Sequence, residues 1–324
     1  MHRARLRLLR VVLGAACLLT WAGCAREEPT PLRIGTVLWT GHEPLFLARQ
    51  LGYLDERQVR LVEYSSLSEV VRAYRNGAVE GVGVTLDMVL VLRQHGFDPR
   101  VVLVLDFSLG GDVVVARPDI RDLASLRGRR VGVEDFGVSV YLLSRALGQV
   151  GLKLSDVQVF HVPADQQARA FQEGEVDAVV AFEPYAQALL EAGARKLFDS
   201  TRIPGEVVDV LAVRGDVLGS HEDAIQHLGQ AWFGALAWME AHPEEAISRM
   251  RQRPGMSEED FSRTLQGLRL PELEENRALL TGPAPGLLGV SERLQQRLLE
   301  LGILELRLEL EELTSARALP GEAP

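Results

Sequence analysis

From residue 32 onward, short apolar runs typical of strands alternate with segments that carry apolar side chains at helical spacing. LRIGTVL (32–38), VRLVEY (59–64) and VEGVGV (79–84) predict three strands. The helix after the first strand carries leucines at i, i+4 and i+7, namely Leu47, Leu51 and Leu54. The next helix begins with a capping-box pattern from Ser66 to Glu69. This βαβαβ order predicts a parallel sheet with right-handed crossovers.

The same order of elements appears a second time further along the chain. RIGTV (33–37) matches RVGVE (130–134) at an offset of 97 residues. NGAVEGVGV (76–84) matches EGEVDAVVA (173–181) at the same offset. We therefore predict an α/β protein with two lobes of one topology.

The chain is expected to cross between these lobes twice. DVVVA (112–116) leaves for the second lobe, and EVVDVLAV (206–213) comes back. Paired crossing strands would form a hinge. Asp112, which begins the first of these strands, is assigned to the hinge. The first lobe then comprises 32–111 and 214–324, and the second comprises 112–213.

Parallel sheets bind ligands at the carboxyl ends of their strands. The loops after the matching strands, which would line a cleft between the lobes, are WTGH (39–42), TLD (85–87), EDFGVS (134–139) and FEPY (182–185). The candidate ligand-binding residues on these loops and at the end of one further strand are Trp39, Thr40, His42, Thr85, Asp106, Glu134, Gly137, Ser139, Glu183 and Tyr185.

Several of these candidates have a purely structural alternative. Trp39 could complete the core of the first lobe, and His42 could cap the following helix. The N–H groups that begin a helix at Gly137 could hold a polar or anionic ligand group, although ordinary capping explains Ser139 equally well. Glu183 could pair with an arginine across the lobe.

Charge and composition exclude some classes of protein. The chain is 47% hydrophobic and 25% charged, as is usual for a globular protein, and its formal net charge is −10. Without the four arginines of the first ten residues, 31 basic residues stand against 45 acidic ones. That balance argues against a nucleic-acid partner.

The N-terminus is typical of a secreted protein. The basic segment MHRARLRLLR and the apolar stretch VVLGAACLLTWAG predict a signal peptide over residues 1–23. Cys24 follows directly, which resembles a bacterial lipoprotein signal except at Trp21, where leucine is usual. Residues 24–31 would then form a lipid-anchored tether outside the cytoplasmic membrane. An ordinary signal peptide with an incidental cysteine is the alternative.

Three segments together resemble the solute-binding components of ABC importers, in the branch of the nitrate, taurine, alkanesulfonate and thiamine-pyrimidine binding proteins. They are EPLFLARQLGYLDE (43–56), DFSLGGDVVVARPDIRDLASLRGRRVGVEDFGVSVYLL (106–143) and GEVDAVVAFEPY (174–185). The resemblance covers residues 32–315. It implies a periplasmic-binding-protein type II fold, a monomeric Venus-flytrap with a two-strand hinge. Such a protein captures a small molecule and delivers it to a permease and an ATPase, without catalysis, cofactor or metal.

The charges of the expected cleft favour a nitrogenous ligand. The acids there are Asp87, Asp106, Glu134, Asp135 and Glu183, and only His42 can be basic. An amine, a guanidine-like compound or an aminopyrimidine is therefore expected ahead of a sulfonate or nitrate. Two alternatives stay open: several acids could point to solvent, or the protein could be a pyrimidine- or menaquinone-pathway enzyme that shares the fold. The signal peptide argues against the enzyme.

Overall fold

The computed structural model describes residues 30–134, 137–282 and 286–321. The signal peptide, Cys24 and Asp135 lie outside the described residues. In chain order the strands are β1 (Leu32–Val37), β2 (Val59–Tyr64), β3 (Gly81–Thr85), β4 (Pro99–Ser108), β5 (Asp112–Ala116), β6 (Arg130–Val133), β7 (Gln158–His161), β8 (Ala178–Phe182), β9 (Arg195–Asp199), β10 (Val208–Arg214) and β11 (Leu268–Arg269).

The helices connect and cover these strands. In chain order they are α1 (Glu43–Gln50), α2 (Leu67–Arg75), α3 (Leu86–Gln94), α4 (Val138–Gly148), α5 (Ala164–Glu173), α6 (Tyr185–Glu191), α7 (Glu222–Ala241), α8 (Pro243–Met250), α9 (Glu258–Gln266), α10 (Leu273–Thr281) and α11 (Leu287–Glu300). Within the described ranges, none of them combines the length and the hydropathy needed to cross a bilayer.

The described strands form two sheets, one in each lobe. The first sheet has the order β11-β4-β10-β3-β1-β2, and the second has the order β7-β6-β8-β5-β9. The predicted βαβαβ units are parallel, since β1 pairs in parallel with β2 and β3, and β6 with β7 and β8. Both sheets are nevertheless mixed, because β10 runs antiparallel to β3 and β5 runs antiparallel to β8.

The capping residue that the sequence predicted for the second helix is found at the start of that helix. The hydroxyl oxygen of Ser66 accepts a hydrogen bond from the N–H of Glu69 at 3.3 Å, and α2 begins at the next residue after this cap. The helix ends at Arg75, shortly before Gly77, whose φ of 70° lies in the left-handed region.

The two strands expected to form the hinge lie inside different sheets. β5 pairs with β8 and β9 in the second sheet, whereas β10 pairs with β3 and β4 in the first. The chain instead crosses between the lobes at residues 109–111 and 200–207. β10, which we expected in the second lobe, belongs to the first because it pairs with β3 and β4, and its residues are buried from Val208 to Val213. A strand buried on both faces belongs in the interior of a covered sheet.

Hydrogen bonds from α10 to β4 hold this C-terminal helix against the first lobe. The side chain of Asn276 in α10 is fully buried. Its Oδ1 accepts a hydrogen bond from the N–H of Val104 at 2.8 Å, and its Nδ2 donates to the carbonyl oxygens of Val104 and Pro271, each at 3.0 Å. One amide group therefore satisfies three backbone groups and fixes α10 against the sheet.

Candidate functional site

The loops after β1 and β8 bring the two lobes into contact. The ring of Trp39 meets the ring of Phe182 edge to face, with 5.8 Å between the centroids. Beside them is a cavity of about 20 Å³, which has room for about one water molecule. Its walls come from both lobes and are formed by Val37, Trp39, Leu67, Thr85, Asp112, Val138, Phe182 and Asp209. The expected cleft is thus present and nearly closed.

Trp39 is tied to a buried acid at the floor of this cleft. Its Nε1 donates a hydrogen bond to Oδ2 of Asp106 at 3.0 Å. Gly41 makes this contact possible, since a Cβ atom there would collide with the same carboxylate oxygen. Trp39 is 4% exposed and Asp106 is fully buried. Trp39 therefore combines the two roles considered from the sequence, because it packs in the core and also forms the cleft wall.

Four aspartates gather around the cavity. Asp106 and Asp209 face each other on β4 and β10, and Asp209 also faces Thr85 on β3. Asp112 begins β5 in the second lobe, and Asp87 lies in the first turn of α3. All four are buried, and none is more than 6% exposed. The cluster spans both lobes.

Burial makes these carboxyl groups keep their protons to a higher pH than usual. It raises the pKa of Asp87 to about 6 and the pKa values of Asp106 and Asp112 to about 7. Burial also raises the pKa of Asp209 well above its usual value, and the carboxylates of the other three aspartates add to this effect. In the described part of the chain, no arginine or lysine lies close enough to lower any of these four pKa values.

Several polar atoms of the cluster have no hydrogen-bond partner among the described residues. These atoms are Oδ2 of Asp87, Oδ1 of Asp106 and Oδ2 of Asp112. Buried polar groups in proteins are nearly always hydrogen-bonded, and an unsatisfied one costs about 1–3 kcal/mol. Free acceptor oxygens on both sides of the cleft therefore suit a ligand that carries several N–H donors.

His42 does not contribute a positive charge to this site. Its Nδ1 lies 3.3 Å from the carbonyl oxygen of Val37, and its Nε2 faces Gly83, where a Cβ atom would be only 3.0 Å away. Burial lowers its pKa to about 4, so the imidazole is neutral at pH 7. The neighbouring Thr40 is equally buried, in the short turn before α1.

The candidates from the second lobe are placed in different ways. Glu134 directly follows β6 and is 1% exposed, and Ser139 is buried in the first turn of α4. Glu183 is half-buried and accepts a hydrogen bond from the N–H of Gln187 at 3.0 Å, so it caps α6 rather than pairing with an arginine. Tyr185 is half-buried, and its ring packs edge to face on Phe182.

Four residues of the site were not among the candidate ligand-binding residues. Asp112 had been assigned to the hinge, and Asp87 had been counted only among the acids of the cleft. Phe182 had been placed on a cleft loop without a role, and Asp209 had been passed over. Asp209 does leave a signal in the sequence, since it is the one charged residue of the strand before Arg214. A carboxyl group in the middle of an apolar strand is costly unless a partner or a ligand compensates it.

Larger cavities lie elsewhere. One of about 530 Å³ is lined by residues of α4 and α11 and by Glu206, which already forms an ion pair with Arg145. Another of about 610 Å³ lies beside α7 and is largely apolar. Within the described ranges, no group of three or more His, Cys, Asp or Glu side chains could hold a metal ion. The aspartate cleft is therefore the candidate ligand site.

Known proteins of similar sequence are binding proteins by name. A putative aliphatic sulfonates-binding protein of Escherichia coli (strain K12) is 33% identical over 197 residues, which are 58% of this chain and 60% of that protein. The taurine-binding periplasmic protein of the same organism is 25% identical over 231 residues, which are 68% of this chain and 72% of that protein. The matched part thus spans less than two thirds of the first of these relatives.

The fold is also found among solved structures. The alkanesulfonate-binding protein of Xanthomonas axonopodis pv. citri, solved bound to MOPS, superposes with a TM-score of 0.75 at 19% identity, covering 89% of this chain and 99% of that one. These matches confirm the type II binding-protein fold and the resemblance to the sulfonate and taurine branch. Residues 25–252 match the model of the NMT1-like family, and because this match covers most of the chain, the protein belongs to that family.

Proposed function

We propose that the protein is an extracytoplasmic solute-binding protein of an ABC importer. It captures a small nitrogenous organic ligand, such as an amine, a guanidine-like compound or an aminopyrimidine, between its lobes and delivers it to a permease and an ATPase. The names of its relatives support binding rather than catalysis.

The buried aspartate cluster is the observation that supports the proposed ligand class. Four acids enclose the cleft, and no lysine or arginine of the described ranges balances them: Asp87, Asp106, Asp112 and Asp209. At an effective dielectric constant near 20, two like charges about 4 Å apart repel by roughly 4 kcal/mol. An anion in this cleft meets that cost, whereas an organic cation removes it. The indole of Trp39 adds a cation–π attraction of about 1 kcal/mol.

Binding between the lobes also explains how a ligand would close the protein. Asp106 and Asp209 belong to the first lobe and Asp112 belongs to the second. A cation that contacts both sides favours the closed arrangement, in which these acids lie together, over the open one. The ligand then supplies the hydrogen-bond donors that the free carboxylate oxygens lack.

A sulfonate, taurine or nitrate is the second candidate for the ligand. The names of the relatives support it, as do the free N–H groups at the start of α4, because anions bind well at helix N-termini. The buried acids oppose it.

A thermal-shift panel at pH 8 distinguishes the two ligand classes. Simple amines, guanidinium compounds and aminopyrimidines are compared with alkanesulfonates and nitrate; taurine is left out of this comparison because it carries both an ammonium and a sulfonate group. A ligand at about 100 times its dissociation constant stabilises the folded state by roughly 2.7 kcal/mol. We expect the nitrogenous cations to raise the melting temperature, and Asp112→Asn to weaken that rise. The exposed Asp223 supplies the matched control, Asp223→Asn. If only sulfonates or nitrate stabilise the protein, the proposed ligand class is wrong.

The proposed location depends on the lipoprotein signal. Cys24 follows Ala22 and Gly23 at the end of the apolar stretch. We expect the full-length protein expressed in a bacterium to incorporate labelled palmitate, and Cys24→Ala to incorporate none. Equal labelling of both proteins would remove the lipid anchor from the proposal.

A further inference from the structure

The cavity between the lobes limits the size of any group that the closed protein can enclose. Its volume of about 20 Å³ has room for about one water molecule. Apolar side chains from both lobes, none more than 5% exposed, form most of its wall: Val37, Trp39, Leu67, Val138 and Phe182. A group enclosed by these side chains can therefore be little larger than one heavy atom with its hydrogens.

The polar part of the cavity wall comes from three residues. Thr85 ends β3 and pairs with Asp209 on β10, while Asp112 begins β5 in the second lobe. Asp112 is 5% exposed, and its Oδ2 has no hydrogen-bond partner among the described residues. A buried acceptor without a donor is costly. This oxygen therefore indicates that a group with N–H donors belongs in the cavity.

A primary ammonium group matches both the size and the polar wall of the cavity. It is a compact cation that carries three N–H donors on a single nitrogen. A guanidinium group or an aminopyrimidine spreads its nitrogens around a carbon atom or a ring, so it is several heavy atoms wide. A quaternary ammonium keeps the charge but has no N–H donor. Charge attracts all of these cations, so their size and their donors must separate them.

We propose that the closed cleft selects a small primary ammonium compound, either ammonium itself or a short amine such as methylamine, and that its apolar wall excludes wider cations. The inference rests on the proposed function and deepens it, because it chooses one of the nitrogenous ligand classes. Leu67 sets the limit from the first lobe, since it is the first residue of α2, directly after the cap at Ser66, and lines the cavity. A wider cation would hold the lobes apart and so lose the contacts of the closed state.

The test is isothermal titration calorimetry at pH 8 with the chloride salts of methylammonium, guanidinium and tetramethylammonium. Asp112 is mostly ionised at this pH, because burial raises its pKa to about 7. We expect methylammonium to bind at least tenfold more tightly than the other two cations, which corresponds to about 1.4 kcal/mol.

Leu67→Ala widens the cavity and should remove most of the preference over guanidinium, whereas tetramethylammonium should stay weak because it has no N–H donor. Leu228→Ala makes the same change at a fully buried position of α7 that does not line the cavity, and it should leave the preference unchanged. Circular dichroism shows that each variant is folded, and Leu67→Val is a milder second variant.

Guanidinium binding as tight as methylammonium binding in the unaltered protein would overturn the inference but not the proposed function, because guanidinium is also a nitrogenous cation. An unchanged preference in the folded variants of Leu67 would overturn it as well. So would binding of none of the three cations, and the thermal-shift panel then decides the proposed function separately, through its aminopyrimidines and larger amines.

Discussion

Replacing Asp106 by asparagine tests whether ionisation of a buried carboxyl group in the cleft destabilises the folded protein. Asp106 is fully buried, and its Oδ2 accepts the hydrogen bond from Trp39. Asparagine has nearly the same shape and keeps an acceptor oxygen for the indole, but it cannot ionise. The substitution therefore removes the charge while the packing is preserved.

The size of the effect follows from the raised pKa of Asp106. Burial moves this pKa from 3.8 to about 7, and each unit corresponds to about 1.4 kcal/mol, so the full effect is about 4 kcal/mol. Because the pKa is higher in the folded protein, ionisation destabilises the fold as the pH rises from about 4 to about 7. Part of this loss is already present at pH 5, and the remainder, roughly 2–3 kcal/mol, appears by pH 8.

Thermal unfolding of the ligand-free protein measures this difference. We expect the melting temperature of Asp106→Asn, relative to the unaltered protein, to be roughly 4 °C more favourable at pH 8 than at pH 5. Asp223→Asn, a matched change at an exposed position, should show no such dependence. If the difference between Asp106→Asn and the unaltered protein is the same at both pH values, Asp106 carries no ionisation cost and the electrostatic argument fails.

Three further predictions address the indole, the C-terminal helices and closure. Trp39→Phe removes the donor to Asp106, so urea unfolding should show a loss of about 2 kcal/mol at pH 8 and a smaller loss at pH 5; equal losses would contradict this role. Asn276→Ala leaves buried backbone groups of Val104 without partners and should cost about 3 kcal/mol in urea, whereas Asn76→Ala at an exposed position should change stability by less than about 0.5 kcal/mol. Small-angle scattering at pH 8 should show a smaller radius of gyration with a saturating amine, and an unchanged radius would count against closure by the ligand.

Local patterns predicted the elements well but not all of their pairings. VRLVEY coincides with β2, and the cap at Ser66 begins α2 as its spacing indicates. Such signals depend on neighbours in the sequence. The partners of β10 are β3 and β4, which lie far earlier in the chain. Strand periodicity states which face is buried but not which distant strand lies beside it, so β10 was placed in the wrong lobe.

The sequence predicted some residues of the candidate site and missed others. The rule for the carboxyl ends of strands led to Trp39, Thr85 and Asp106, which the fold brings together. The same rule passed over Asp209, because this acid lies within a strand and reaches the cleft only through its pairing opposite Asp106. His42 was the one residue of the expected cleft that could be basic, and burial keeps it neutral. Side-chain direction and burial depend on tertiary packing, which a single sequence does not display.

The position of β10 in the chain has a consequence for the order of folding. This central strand of the first sheet follows the whole second lobe in the sequence, whereas β5 to β9 are consecutive. Chains emerge from the ribosome or an export channel with the N-terminus first, and contacts between distant segments form slowly. The second lobe can therefore complete its sheet before β10 pairs with β3 and β4 in the first sheet. Asp209 lies on β10, so the candidate ligand site is complete only when the first lobe has finished folding.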